Sequence, residues 1–210
     1  MIEPVNITII DDEPALLKAL TRLLKTEGFA VRCHESAASF LSAPRPKSPG
    51  CIVLDESMPG MTGMQLQQKL NAEGSSLAVI FLTAHGNIPM SVRAIKAGAA
   101  DFLTKPVKDH ELLDTIRAGL HKSKELAARA EELAAIQKRY LSLSSREREV
   151  MQHVVKGLPN KQIASILGLV EQTIKVHRSR AMVKMGAESL AQLVLSAEKL
   201  GLTSPEAEAI

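Results

Sequence analysis

Asp55 closes the apolar run Cys51-Ile52-Val53-Leu54 and opens a loop in which Pro59 and Gly60 follow at once. Such a run reads as a strand buried on both faces. A carboxylate at its carboxyl end sits where open α/β sheets place their sites. Asp11 and Asp12 end an earlier apolar run, residues 5–10. Thr83 ends the run 78–82, and Lys105, followed by Pro106, ends Phe102-Leu103-Thr104. Four strand ends therefore carry acids, an acid, a hydroxyl and an amine. Three close carboxylates repel one another unless a cation offsets them. Oxygen donors suit a hard cation, and Mg2+ suits phosphate chemistry because it keeps waters. Asp12, Asp55 and the Ser57 backbone carbonyl are the expected ligands, with Asp11 acting through a water. In-line phosphoryl transfer needs a nucleophile and neutralised equatorial oxygens. Asp55 is the expected nucleophile, with the Lys105 ammonium and Thr83 hydroxyl on the phosphoryl oxygens.

The elements that must hold these residues alternate. Strands are expected at 5–10, 30–33, 51–54, 78–82 and 101–104. Helices are expected at 14–27, 36–42, 63–73, 88–97 and from 109 onward. Leu16, Leu17, Leu20, Leu23 and Leu24 give the first helix an apolar face. Pro14 suits its first turn and Gly28 its end. Five βα units imply a parallel sheet covered on both faces.

Beyond residue 120 only helical patterns remain, and the charge changes sign. Residues 1–120 carry a net −1 and residues 121–210 a net +4. A basic helical segment suggests a polyanion partner. Residues 119–141 contain no proline and are rich in Ala, Glu, Lys and Leu, so a long helix continues from the one that begins at 109. Its stripe of Leu126, Ala130, Leu133 and Ile136 or Gln137 is too short to establish a coiled coil, and a solvated semi-rigid linker is expected. Ser144 or Ser145 caps a helix ending at Gly157. A second helix follows Pro159, with Gly168 in the turn, and a third runs from Glu171 to Met185. Helix, Gly-containing turn, helix is a helix-turn-helix, whose second helix enters the major groove. There Ile174, Met185 and Ala181 or Met182 pack inward, while Lys175, Arg178, Ser179 and Lys184 project. Val170, before Glu171, supplies no capping oxygen, so this helix is expected to start frayed and tighten on DNA.

The two cysteines, Cys33 and Cys51, lack metal-like spacing and read as buried free thiols in a reducing compartment. The start lacks the basic region of a signal peptide. No apolar run approaches the ~20 residues that span a bilayer. A cytoplasmic protein without membrane contact is expected.

Residues 1–120 resemble the CheY-type, flavodoxin-like (βα)5 receiver domain of two-component response regulators. The resemblance rests on Asp11-Asp12, the loop Asp55-Glu56-Ser57-Met58-Pro59-Gly60, Thr83-Ala84 and Lys105-Pro106. It implies that Asp55 accepts phosphate from a sensor histidine kinase and that Thr83 and Phe102 form the switch. It sets Ser57 and His85 beside the phosphate, with His85 a spectator rather than a base. Residues 143–200 resemble the LuxR/FixJ-type helix-turn-helix through Leu143 to Val150, Gly157, Asn160-Lys161-Gln162-Ile163-Ala164, Leu167, Thr173-Ile174-Lys175-Val176-His177 and Met182 to Met185. This implies that Lys175, Val176 and Ser179 lie nearest base edges. Thr173, His177, Arg178 and Lys161 are phosphate or groove contacts. The final helix, about 189–199, contributes to dimerisation on DNA.

The expected organisation is a receiver at 1–120, a helical linker at 121–142 and an all-α helix-turn-helix domain at 143–210. The expected function is transcription control by a homodimer formed on phosphorylation, with promoter DNA and RNA polymerase as partners. The chain is expected to be a phosphoacceptor with only slow autodephosphorylation, not a turnover enzyme. A phosphorylation-independent regulator and a phosphorelay carrier are the alternatives.

Overall fold

The computed structural model describes residues 6–44, 48–84 and 87–202. Val5, His85 and the last eight residues lie outside them. The described residues divide into two compact units, one ending at Ala128 and the other beginning at Arg129.

In the first unit five strands form one parallel sheet in the order β2-β1-β3-β4-β5. They are β1 (Asn6–Ile10), β2 (Ala30–His34), β3 (Gly50–Leu54), β4 (Ala78–Thr83) and β5 (Asp101–Thr104). Alternating with them are α1 (Pro14–Thr26), α2 (Ala37–Ser42), α3 (Gly63–Ala72), α4 (Ile88–Lys96) and α5 (Asp109–Leu141). β3 and β4 are buried throughout, as an apolar run covered on both faces must be. Side chains alternate across the sheet. Ile7, Ile9, Val53, Ile80 and Leu82 meet Leu17, Leu20 and Leu24 of α1 and Leu112, Leu113 and Ile116 of α5. Ile10, Ile52, Leu54, Val79 and Phe81 meet Phe40 of α2, Leu66 and Leu70 of α3 and Ala94 of α4. The parallel sheet implied by the alternating pattern and the flavodoxin-like (βα)5 architecture implied by the resemblance are both present.

Local chemistry sets the helix starts. Ser36, Thr62 and Asn87 each accept a backbone N–H two or three residues into the helix that follows. Thr62 and Gln65 complete a reciprocal capping box. At the other end of α4, the buried Gln67 of α3 donates its Nε2 to Ala94 O (3.3 Å) and Ala97 O (3.2 Å). Asn71 Nδ2 also donates to Ala97 O, at 2.6 Å. Side chains of α3 thus satisfy the Ala97 carbonyl at the end of α4 and add to the Ala94 carbonyl, which also accepts Ala99 N–H.

Two sequence expectations are corrected here. Cys51 is buried, but Cys33 is exposed. β2 is an edge strand of mixed burial, so an apolar neighbourhood in sequence did not place Cys33 inside. The segment expected as solvated linker is docked near both ends. Ser123 is fully buried, accepts from Gly50 N–H (3.0 Å) and donates to Ser76 O (2.7 Å). Ile136 belongs to the core of the second unit. Leu126, Ala130 and Leu133 of the expected stripe remain exposed.

The second unit contains the end of α5, then α6 (Ser145–Val155), α7 (Asn160–Leu167), α8 (Glu171–Met185) and α9 (Leu190–Lys199). Its core joins Ile136 and Leu143 to Val150, Met151, Val154, Ile163, Ile174, Ala181, Met185, Leu193 and Ala197. Of the two candidates on α8, Ala181 is buried and Met182 only packs against the core. Gly168 (φ +65°) and Gly186 (φ +66°) end α7 and α8 in the left-handed conformation, which costs glycine no Cβ clash. Among the described residues no helix is long and apolar enough to cross a membrane.

Candidate functional site

The parallel ladders run one residue past the strands and thereby set the site. Asp55 N–H donates to Ile10 O (2.9 Å), Asp11 N–H to His34 O (3.1 Å) and Lys105 N–H to Thr83 O (2.9 Å). β1 and β3 are neighbours although β2 intervenes in sequence, so Asp11 and Asp55 flank the point where the strand order reverses. Lys105 Nζ lies 2.6 Å from Asp11 Oδ2 and 3.3 Å from Asp55 Oδ1. Burial alone would lower the Lys105 pKa, but the Asp11 hydrogen bond and the charges of Asp55 and Asp11 prevail and raise it. The stabilisation from this charge is therefore full below the ordinary lysine value of 10.5 and is lost only as pH rises beyond it.

Asp55 Oδ2 accepts Ser57 N–H at 2.8 Å and Asp11 Oδ1 accepts Glu13 N–H at 2.9 Å. Asp11, Asp55 and Thr83 are buried, whereas Asp12 and Ser57 are exposed. Among the described residues no three carboxylate, histidine or cysteine side chains converge to hold a metal. Of the three carboxylates expected together, Asp11 and Asp55 meet at Lys105, and Asp12 is exposed. Successive residues of an extended chain point to opposite sides, and it is Asp11 that turns inward. The donors that remain are all oxygens. Two buried carboxylates already share one cationic group, and a carbonyl-bearing loop adjoins them. That set fits Mg2+, which takes one or two carboxylates and retains water.

Phe102 is half-buried, with its ring centroid 5.9 Å from that of the fully buried Phe81. Glu56 is a residue the sequence reading passed over, although it adjoins Asp55. Its Oε2 accepts Met64 N–H at 2.7 Å and its carbonyl accepts Gly63 N–H at 3.1 Å, fastening the start of α3 to the loop. Burial pushes the Glu56 carboxyl above its usual range; the Met64 N–H opposes this and the Asp55 charge adds to it.

The second unit presents the face expected to meet DNA. Lys175, Val176, Ser179 and Lys161 are exposed, and Thr173, His177 and Arg178 are half-buried. His177 Nδ1 is buried with no hydrogen-bond partner among the described residues. Lys184 projects from the packed face of α8, but it is ion-paired. Its Nζ sits 2.6 Å from Oε2 of Glu147, whose side chain is 4 % exposed. Glu147 also accepts Ser144 N–H at 2.8 Å, while Ser144 Oγ accepts Glu147 N–H at 3.3 Å. The Ser-x-x-Glu spacing of this capping box is legible in sequence; the lysine across the domain is not.

Lys184 and the Ser144 N–H bring the Glu147 carboxyl down to about 2. Its folded pKa is depressed, so it stabilises the domain above the ordinary value of 4.5 and ceases to as pH falls toward 2. Glu147→Ala removes bonds to a charged group and is expected to cost about 2 kcal/mol. Urea titration at neutral pH checks this, and the deficit should shrink at low pH.

At the start of α8, Val170 is 68 % exposed and makes no side-chain cap hydrogen bond. An added cap oxygen is worth about 1 kcal/mol. Val170→Ser is expected to raise the melting temperature; an unchanged or lower value would remove the capping argument.

The comparisons with known proteins follow this division. The response regulator receiver domain family matches residues 7–117, and the family of bacterial regulatory proteins of the luxR type matches residues 141–197. The chain is 44 % identical over 202 residues to the transcriptional regulatory protein FixJ of Azorhizobium caulinodans, covering 96 % of each chain. It is 42 % identical to the response regulator protein TodT of Pseudomonas putida, covering 92 % of this chain and 86 % of TodT. The low-resolution structure of the response regulator StyR aligns with a TM-score of 0.77 at 43 % identity, covering 93 % of this chain and 99 % of StyR. Full-length FixJ from B. japonicum aligns with a TM-score of 0.56 at 38 % identity, covering 95 % and 98 %. A receiver with buried acids around a lysine, followed by a helix-turn-helix of this type, places the chain in the FixJ-type response regulator family, whose members regulate transcription.

Proposed function

We propose that Asp55 is the phosphoacceptor of this response regulator and that its phosphorylation controls DNA binding. The observation that carries the proposal is the Lys105 ammonium between the buried carboxylates of Asp11 and Asp55. A sensor histidine kinase donates the phosphoryl group to an oxygen of Asp55. Asp12, Asp55 and the Ser57 carbonyl, with Asp11 through a water, would hold Mg2+, which when bound neutralises charge on the phosphoryl group. Lys105 leaves its carboxylates and pairs with a phosphoryl oxygen, and the Thr83 hydroxyl donates to another. Thr83 and Phe102 then move toward the phosphate.

Phosphorylation need only favour one of two arrangements already in equilibrium. The favoured one dimerises through the surface of α4, β5 and α5. The dimer sets two copies of α8 on promoter half-sites. Lys175, Val176 and Ser179 meet base edges, with Thr173, His177, Arg178 and Lys161 around them, and RNA polymerase is a further partner. The domain boundaries are a receiver to residue 120, a linker to 142 and the DNA-binding domain beyond. The chain works in the cytoplasm and is consumed as an acceptor rather than turned over as an enzyme.

The test is DNA affinity of the full chain in Mg2+, with and without beryllofluoride, on a duplex selected from a random pool. Tightening on the order of tenfold is expected. Equal affinity would favour a phosphorylation-independent regulator, and no retained duplex a phosphorelay carrier.

A further inference from the structure

We propose that Asn160 is a positioning residue for DNA binding, holding the Arg178 guanidinium ready for a backbone phosphate. The inference rests on the reading of α8 as the groove helix. Arg178 Nη1 donates to Asn160 Oδ1 at 3.0 Å, across 18 residues of sequence. Asn160 opens α7 and Arg178 lies in the middle of α8, so the bond joins the two helices of the motif. Both residues are half-buried, and with Lys175 and Ser179 they line one groove.

The neighbours of the two α8 lysines show why this contact matters. Lys184 is committed to the buried Glu147 at 2.6 Å. Lys175 has Glu171 within 3.4 Å, one turn before it. Each of those lysines has an anion offsetting its charge. Asn160 is neutral: it fixes a guanidinium without cancelling its charge. A guanidinium carries five N–H donors in a rigid plane, so one bond sets the plane and leaves donors for a phosphate. Ordering the side chain before binding removes an entropic cost that a free arginine meets on contact. Asn160 therefore acts through Arg178, and Lys184 holds α8 on α6 rather than touching DNA.

The experiment measures affinity of the full chain for a labelled mixed-sequence DNA duplex between ~50 and ~200 mM salt. Arg178→Ala is expected to flatten the salt dependence by about one unit of slope. Lys184→Met is expected to leave the slope unchanged while lowering the melting temperature. Asn160→Ala is expected to weaken binding roughly two- to tenfold with the slope kept, because the charge remains. Added to Arg178→Ala, it is expected to cause no further loss. Asn160→Ser, too short to reach the guanidinium, should match Asn160→Ala and guards against a folding defect in either variant. Wild-type affinity in both Asn160 variants would overturn the proposal. So would an equal loss from Asn160→Ala in the Arg178→Ala background. A wild-type chain with no salt-dependent DNA binding would instead bring down the underlying reading of α8.

Discussion

Asp55→Asn is expected to abolish phosphate uptake and leave the receiver folded. The variant keeps an oxygen that can accept the Ser57 N–H, which now reaches Asp55 Oδ2 at 2.8 Å. It loses the charge facing Lys105 at 3.3 Å. It also loses a negative group that shares Lys105 with Asp11. Two buried carboxylates competing for one ammonium raise each other's energy, so neutralising one relieves repulsion while Asp11 keeps its partner. The melting temperature is therefore expected to hold or rise. Intact-protein mass spectrometry after incubation with a small acyl phosphate and Mg2+ is the check. Phosphate retained at the wild-type level would remove Asp55 from its role.

Lys105→Met is expected to be damaging in two separable ways. The ammonium is the cation shared by the Asp11 and Asp55 carboxylates. Without it, these buried groups lose the ammonium that they share, and no other ion pair to either is seen among the described residues. Removing one partner of a buried charge set costs more than the pair contributed, because the remaining charge stays desolvated. Lys105 is partly exposed, at 19 % of its side chain, so a loss of about 2 kcal/mol is expected rather than the full burial penalty. That loss should diminish on adding Mg2+. The second effect is on transfer. A donor aimed at developing charge is worth roughly 10²- to 10³-fold in rate, and phosphate uptake should fall by about that factor. Wild-type uptake in a folded Lys105→Met protein would contradict the assignment of Lys105.

Much of this was legible in the sequence, for a physical reason. β3 and β4 are buried along their length, so their apolar runs are unbroken and their ends easy to find. Parallel strands put all their carboxyl ends on one edge, which brings Asp11, Asp55, Thr83 and Lys105 together once the order is known. α7 begins after Pro159 and ends at Gly168, and α8 ends at Gly186. What escaped depends on contacts distant in sequence or on the side a residue faces. Asp11 and Asp12 are equivalent as letters, and only the packed strand end decides which turns inward. Cys33 sits on an edge strand, where composition does not report burial. Ser123 and Ile136 are single anchors in a stretch that is otherwise polar and helical. The partners of Glu147 and Arg178 lie 37 and 18 residues away in the chain, and neither pairing follows from a local pattern.

The linkage between Asp55 and assembly is tested most directly by sedimentation of the full chain in Mg2+, with and without beryllofluoride. This ligand mimics phosphate on the Asp55 carboxylate. A shift from monomer to dimer with beryllofluoride, absent in Asp55→Asn, is the predicted result. A chain that binds beryllofluoride at Asp55 and sediments unchanged would contradict the account.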